Sequence, residues 1–335
     1  MKRKIGLLFM FVAFLMVGLT ACSSGNLTEP STTPEAAVAP LPAEKTVPNK
    51  KGKTIVVGLT LQNLSNPFFV AMSKGATAGA MLHGAEVIIQ SAEGDLAKQI
   101  AQIEDFVSRK VSVILLNAVD SKGIAGAVSQ AKAAGIPVIA VDVGADGGVN
   151  TVVTSDNYLA GKLAGEYMVK RLKGSGNIVI LDGPPVSAVT DRISGFEEAI
   201  QSAPGIRVIT KQNGDGNRET SLATMETILQ ANGKGKINAV FATNDPSGVG
   251  AKIAIEQEGR DKEMFIVGVD GAPDAVNAIK EKKSFAASSA QYPFEMIKLA
   301  MDVGFKVLKG ENVEPLIKMP VDLITQDNVD SYKGW

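Results

Sequence analysis

The 335-residue sequence holds one cysteine, one histidine and one tryptophan, and aromatic residues make up only 5% of it. A single cysteine excludes an internal disulfide. With His83 alone and no second thiol, hydrolysis by a Ser-His or Cys-His arrangement lacks its parts, and no HExxH-type metal string is present. Charge is also nearly balanced: 34 bases against 35 acids give a formal net charge of −1, so nothing points to nucleic acid as a partner. Short glycine strings at Gly174 and Gly248 complete neither a dinucleotide fingerprint nor a P-loop. No catalytic residue, metal site or cofactor is therefore expected. His83 precedes Gly84 at a helix-end signal and is read as a solvated helix-terminal imidazole, and Trp335 as a packing residue.

What is present divides along the chain. Lys2, Arg3 and Lys4 precede an uncharged apolar segment from Ile5 to Leu19, the pattern of a secretory signal peptide spanning residues 1–21. That apolar run is shorter than the roughly 20 residues of a membrane-spanning helix. Cys22 closes a Leu-x-Ala-Cys string similar to a bacterial lipobox, so cleavage before it would leave a lipidated amino terminus at a membrane surface. Residues 22–52 are rich in Ser, Thr, Pro, Ala and Glu without apolar periodicity, and read as a flexible tether.

From Thr54 the chain alternates short Val/Ile/Leu runs with amphipathic segments, the sequence form of parallel sheets covered by helices, hence an α/β fold. Strands are expected at 54–60, 85–90, 111–117, 136–142 and 150–156, and in a second series at 177–183, 206–212, 237–245, 264–271 and 285–291. Two similar series predict two similar lobes, which suits a length beyond that of one hydrophobic core. Asn117, Asp142, Asp182, Asn244, Asp245, Asp270 and Gln291 all end apolar runs. In open α/β sheets ligands bind outside those carboxyl ends.

The stretch LSNPFFVAM then acquires a meaning. Asn66 is a helix N-cap and Pro67 suits the first helical position, so Phe68 and Phe69 lie at the same sheet edge as the polar groups. Aromatic faces beside carboxylates and amides match a sugar ring, apolar on its faces and hydroxylated at its rim. The competing reading is that both rings pack the helix onto the sheet, Phe69 the more core-like of the two.

At these residues the sequence resembles the ribose-type periplasmic sugar-binding proteins that feed ABC transporters. The resemblance runs from Thr54 to about Leu323 on SNPFF (65–69), VILLN (113–117), IPVIAVD (136–142), SDN with GK (155–162), DR..GF (191–196), AVFATND (239–245), VGVDGAPD (267–274) and AQYP (290–293). It implies sugar contacts from Asn66, Phe68, Phe69, Asn117 and Asp142 on one lobe. Arg192, Asn244, Asp270 and Gln291 would answer from the other. It further implies three hinge strands near Ser155, Gln291 and Pro320, with lobe one comprising 53–155 plus 292–319 and lobe two 156–291 plus 320–335. The implied protein is a monomer, exported and lipid-anchored at the outer face of the cell membrane or periplasmic. It would close on a sugar or polyol and deliver it to an ABC permease, or alternatively present it to a chemoreceptor or sensor kinase. Two departures stand out: Val143 replaces the arginine usual after the strand-end Asp, and Gly216 lies where an aromatic often covers the sugar. Two acids facing Arg192 alone then favour a larger sugar, a polyol or an amine-bearing sugar over ribose.

Overall fold

A computed structural model of the chain describes residues 54–335. The expected export signal, Cys22 and the tether lie outside the described residues. The first series of elements is β1 (Val56–Leu61), α1 (Pro67–Leu82), β2 (Glu86–Ser91), α2 (Leu96–Ser108), β3 (Val113–Leu116), α3 (Ala125–Ala133), β4 (Val138–Val141) and β5 (Thr151–Ser155). The second is α4 (Asn157–Arg171), β6 (Ser175–Asp182), α5 (Ser187–Gln201), β7 (Gly205–Asn213), α6 (Arg218–Ala231), β8 (Ala239–Ala242), α7 (Asp245–Gln257), β9 (Phe265–Asp270), α8 (Pro273–Lys280) and β10 (Phe285–Ala290). Then come α9 (Pro293–Leu308), β11 (Leu316–Met319), β12 (Asp322–Thr325) and a short 3₁₀ turn, Val329–Ser331.

Two six-stranded sheets result, in the orders β11-β5-β4-β3-β1-β2 and β12-β10-β9-β8-β6-β7. The first is parallel throughout. In the second the edge strand β12 runs antiparallel to β10, so this lobe departs from a purely parallel sheet. A two-residue link joins β11 of the first sheet to β12 of the second and so carries the chain from one sheet to the other. The backbone passes between the sheets at three places, residues 155–157, 290–293 and 319–322.

Central strands such as Val-Ile-Leu-Leu in β3 and Ala-Val-Phe-Ala in β8 are buried on both faces, which is why they read as unbroken apolar runs. Helices α1 and α9 cover one face of the first sheet and α2 and α3 the other. In the second lobe α4 and α5 lie opposite α6, α7 and α8. Close approach of α4 to α5 depends on glycine: a Cβ on Gly161 would sit 1.9 Å from the Arg192 carbonyl, and one on Gly195 2.0 Å from that of Tyr158. That contact fixes the depth at which α5 carries Arg192.

His83 ends α1 but does more than cap it. Its Nε2 lies 2.6 Å from Asp302 Oδ1 and its ring stacks on Phe305, with centroids 4.0 Å apart, so it ties α1 to α9 and is only partly solvated. No helix among the described residues is long and apolar enough to cross a membrane.

Candidate ligand-binding site

Strand ends from both sheets converge on a chamber of about 60 Å³. Asn66 caps α1, its Oδ1 accepting from the Phe68 amide at 2.9 Å with Pro67 at the first helical position, and this turn delivers both phenylalanine rings to the chamber wall. Phe68 and Phe69 meet edge to face at 5.6 Å. Both also belong to the first lobe's core beside Met72 and Ala76, so the structure does not separate a ligand-facing ring from a packing ring.

Asp142 follows β4 at φ 70°, a left-handed backbone that Asp tolerates better than most side chains, and its carbonyl accepts from Thr154 Oγ1 at 2.5 Å. Asp270 ends β9 at φ 140°, a sparsely populated conformation of the kind that gathers at binding sites. Asp142 Oδ2 accepts from Asn117 Nδ2 at 2.9 Å, while its Oδ1 is buried without a partner. Asp270 Oδ1 accepts from Gln291 Nε2 at 2.8 Å, and Oδ2 from the Asp245 amide at 3.2 Å.

Arg192 is the cation of the chamber. Its Nε donates to Asn157 Oδ1 at 2.9 Å, and Nη1 donates to the Thr243 carbonyl at 2.8 Å while lying 3.6 Å from Asp270 Oδ1. Burial dominates the acids. It pushes the Asp142 carboxyl up to about 6 although Arg192 and Asn117 pull it down. Asp270 is raised for the same reason, against Arg192 and with a further push from neighbouring Asp245. Three atoms on the wall or just behind it are buried and unpartnered: Asp142 Oδ1, Gln291 Oε1 and Thr243 Oγ1. Two accept only and the third accepts or donates, so the chamber presents unmet demand for donors such as hydroxyl or ammonium groups.

Eight of the nine expected contacts line this chamber: Asn66, Phe68, Phe69, Asp142, Arg192, Asn244, Asp270 and Gln291. Asn117 does not. It is fully buried behind the wall, with Oδ1 accepting from the Gln62 amide and Nδ2 committed to Asp142, so it orients the acid rather than facing a ligand. Asn244 faces the chamber, but its Oδ1 caps α7 at the Ser247 amide and its Nδ2 donates to the Gly216 carbonyl. Val143 is buried against Val186 and Ala188 of the other lobe. Asp182 pairs with Lys211 away from the chamber.

Sequence reasoning missed Asn157, which holds the Arg192 fork, and Thr243. Asn157 was legible in the SDN string beside a helix start; Thr243 carried no signal apart from ending an apolar run. It also left Asp245 outside the site. That acid lies just behind Asp270, accepting from Ser288 Oγ and from the Ala272 amide. Among the described residues no His, Cys, Asp and Glu cluster could hold a metal ion.

Comparison with known proteins agrees with this geometry. Residues 57–312 match the periplasmic binding protein domain family. The ribose import binding protein RbsB of Bacillus subtilis (strain 168) is 35% identical over 330 residues, 97% of this chain and 100% of that one. Among solved structures, a solute-binding protein of an ABC transporter from Bacillus halodurans C-125, with bound myo-inositol, superposes at a TM-score of 0.78. It shares 30% identity, covering 84% of this chain and 97% of that one. The fructose-binding periplasmic domain of a hybrid two-component system gives 0.77 at 27% identity, with 83% and 92% covered. Two α/β lobes of the type I periplasmic-binding-protein form, joined by three crossing strands around a chamber of aromatic and hydrogen-bonding groups, account for these matches: the chain belongs to the ribose-type periplasmic sugar-binding proteins.

Proposed function

We propose that this protein is an extracytoplasmic solute-binding lipoprotein that captures one sugar or polyol between its lobes and hands it to an ABC importer. The observation that carries the reading is the unmet demand of Asp142 Oδ1, Gln291 Oε1 and Thr243 Oγ1 at a chamber walled by Phe68 and Phe69. A hydroxylated ring supplies donors for those acceptors and an apolar face for the rings. Arg192 faces Asp142, Asp270 and the adjoining Asp245, so the surplus of acid disfavours sugar phosphates and sugar acids and suits a neutral or amine-bearing ligand. A space of 60 Å³ holds roughly four to six water centres, the scale of one monosaccharide.

Asp142 belongs to the first sheet's strand ends and Asp270 with Gln291 to the second's, so a ligand bonded to both favours the closed arrangement. The moving halves are 53–155 with 292–319, and 156–291 with 320–335, in a monomer anchored through lipid on Cys22. Calorimetry of the full chain against D-ribose, D-fructose, xylitol, myo-inositol and an aminosugar tests the reading. One-to-one binding of a neutral or amino member is expected; heat from none of them, or tight binding of a sugar phosphate, would remove it. Incorporation of labelled palmitate, lost in Cys22→Ser, tests the anchor. The two-component neighbour supports a second reading, in which the loaded protein informs a sensor. Retained uptake of the bound sugar in cells lacking the protein would favour it.

A further inference from the structure

Trp335 is the sole tryptophan of the chain. The segment that leads to it is rooted on the second lobe: Val329 lies in that lobe's core, and the Tyr332 hydroxyl donates to the Gly271 carbonyl at 3.4 Å. Gly271 has φ 73°, and a Cβ there would come within 2.7 Å of that hydroxyl, so the site accepts the tyrosine only because it has no side chain. Beyond Tyr332 the chain crosses back. The indole packs on the first lobe's core and meets the Phe68 ring edge to face, with centroids 5.6 Å apart and planes at 89°. Its Nε1 donates to the Asp270 carbonyl at 3.1 Å. One side chain thus touches an aromatic wall residue of one lobe and the backbone of a wall acid of the other.

Phe68 lines the inner chamber, and Trp335 lines a larger space of about 770 Å³ outside it; the two spaces share Gln62, Asn66 and Gly216. The contact between the rings therefore lies at the boundary between chamber and mouth. Phe69 on one side and Trp335 on the other hold the Phe68 ring between two perpendicular neighbours. Gly216 leaves that boundary without an aromatic from the second lobe's own loops.

We propose that Trp335 is a positioning residue of the ligand site, fixing the attitude of Phe68 and joining it to Asp270, so that ring placement and cleft closure occur together. Opening the lobes breaks either the ring contact or the bond to Asp270. The indole therefore acts on the escape of a bound sugar more than on its entry. Both bonds of the link are of ordinary strength, and their joint loss speeds dissociation by about tenfold or more.

This role rests on the sugar-binding reading, and the test separates the two. The full chain is titrated with D-ribose, D-fructose, xylitol and myo-inositol by calorimetry. With each member that binds, Trp335 emission is followed, and dissociation of the tritiated ligand is timed by rapid filtration. We expect a saturable change in emission with the calorimetric midpoint. Trp335→Ala should release ligand about tenfold faster with an unchanged association rate. Trp335→Phe, which keeps a ring and loses the N–H, should fall between and covers the case of an unstable alanine variant. Emission that stays constant at saturation, or equal release rates in all three proteins, overturns the proposal while leaving sugar binding intact. Heat from no member sinks the sugar reading and, with it, the task assigned to Trp335.

Discussion

The substitution Asp142→Asn should weaken ligand binding and stabilise the empty protein at the same time. The amide keeps the shape of the carboxylate, and its carbonyl oxygen can still accept from Asn117 Nδ2, now 2.9 Å from Asp142 Oδ2. The new nitrogen then occupies the place of Oδ1, the buried atom without a partner. A ligand hydroxyl that donated to a carboxylate meets a donor instead. Loss of one hydrogen bond to a charged group, about 1.5 to 3 kcal/mol, predicts a dissociation constant larger by about 10- to 150-fold. The stability change has the opposite sign. Burial raises this carboxyl from 3.8 to about 6, so its ionisation costs the folded state about 3 kcal/mol at neutral pH, and the neutral amide removes part of that cost. Calorimetry with the best-binding sugar and urea denaturation without it measure the two effects on one preparation. Unchanged affinity, or a variant less stable than the parent, would refute the assignment of Asp142 as a buried acceptor held in readiness for a ligand.

Affinity should depend on pH through the same group: with ionised Asp142 needed for binding and a carboxyl that titrates near 6, the dissociation constant rises about tenfold from pH 7 to pH 5, measurable by calorimetry in matched buffers. The folded state holds this proton more tightly than the unfolded chain, so empty-protein stability changes the other way and increases as pH falls from about 6 towards 4; Asp245 and Asp270, raised by burial too, add to that slope. Asn117→Ala leaves Asp142 Oδ2 and the Gln62 amide without partners and should cost about 2 to 4 kcal/mol in chemical denaturation, with weaker sugar binding as well. Gly195→Ala drives a methyl into the Tyr158 carbonyl and spreads α4 from α5, for an expected loss of about 1 to 3 kcal/mol by thermal melting and a loss of affinity as Arg192 is displaced.

The fold was legible because its central strands are buried on both faces and so carry unbroken apolar runs, bounded by Gly, Pro and polar caps. Asn66, Pro67 and the two phenylalanines show how a site becomes readable: the N-cap fixes where the helix starts, and the start fixes which residues reach the sheet edge. Two weaker features escaped. The crossing near Pro320 was expected, but the antiparallel run of β12 beside β10 was not, and no local pattern encodes strand direction. Asn117 shares its strand-end address with the true wall residues, yet its amide is drawn backward by Gln62 and Asp142; strand position alone does not say whether a polar tip faces the cleft or supports one that does. Trp335 lay beyond pattern altogether, since its partners are 267 residues away at Phe68 and 65 away at Asp270.

Val143 shows how such a site changes its character with one residue. An arginine after Asp142 would add a second cation to the chamber, whereas Val143 is buried in one cluster with Val186 and Ala188 at the start of α5 of the opposite lobe. Nearby, Ser187 donates its amide to Ser121 Oγ at 3.1 Å and accepts from the Gly144 amide at 2.7 Å. Small apolar side chains of the two lobes therefore meet here at the edge of the chamber, next to the hydrogen bonds of one serine. Burying a valine side chain contributes about 1.5 to 3 kcal/mol, and in the proposed closure the part of it contributed by Val186 and Ala188 is gained as the lobes meet. Part of the closing free energy thus comes from the protein itself, and the ligand need supply less. The surplus acid left by the absent arginine acts in the other direction, because Asp142 and Asp270 stay costly until donors arrive. In the proposed closure the apolar contact assists and the unpaired acids oppose, and a donor-rich ligand relieves the opposing term: selectivity then resides in the acids and affinity in both.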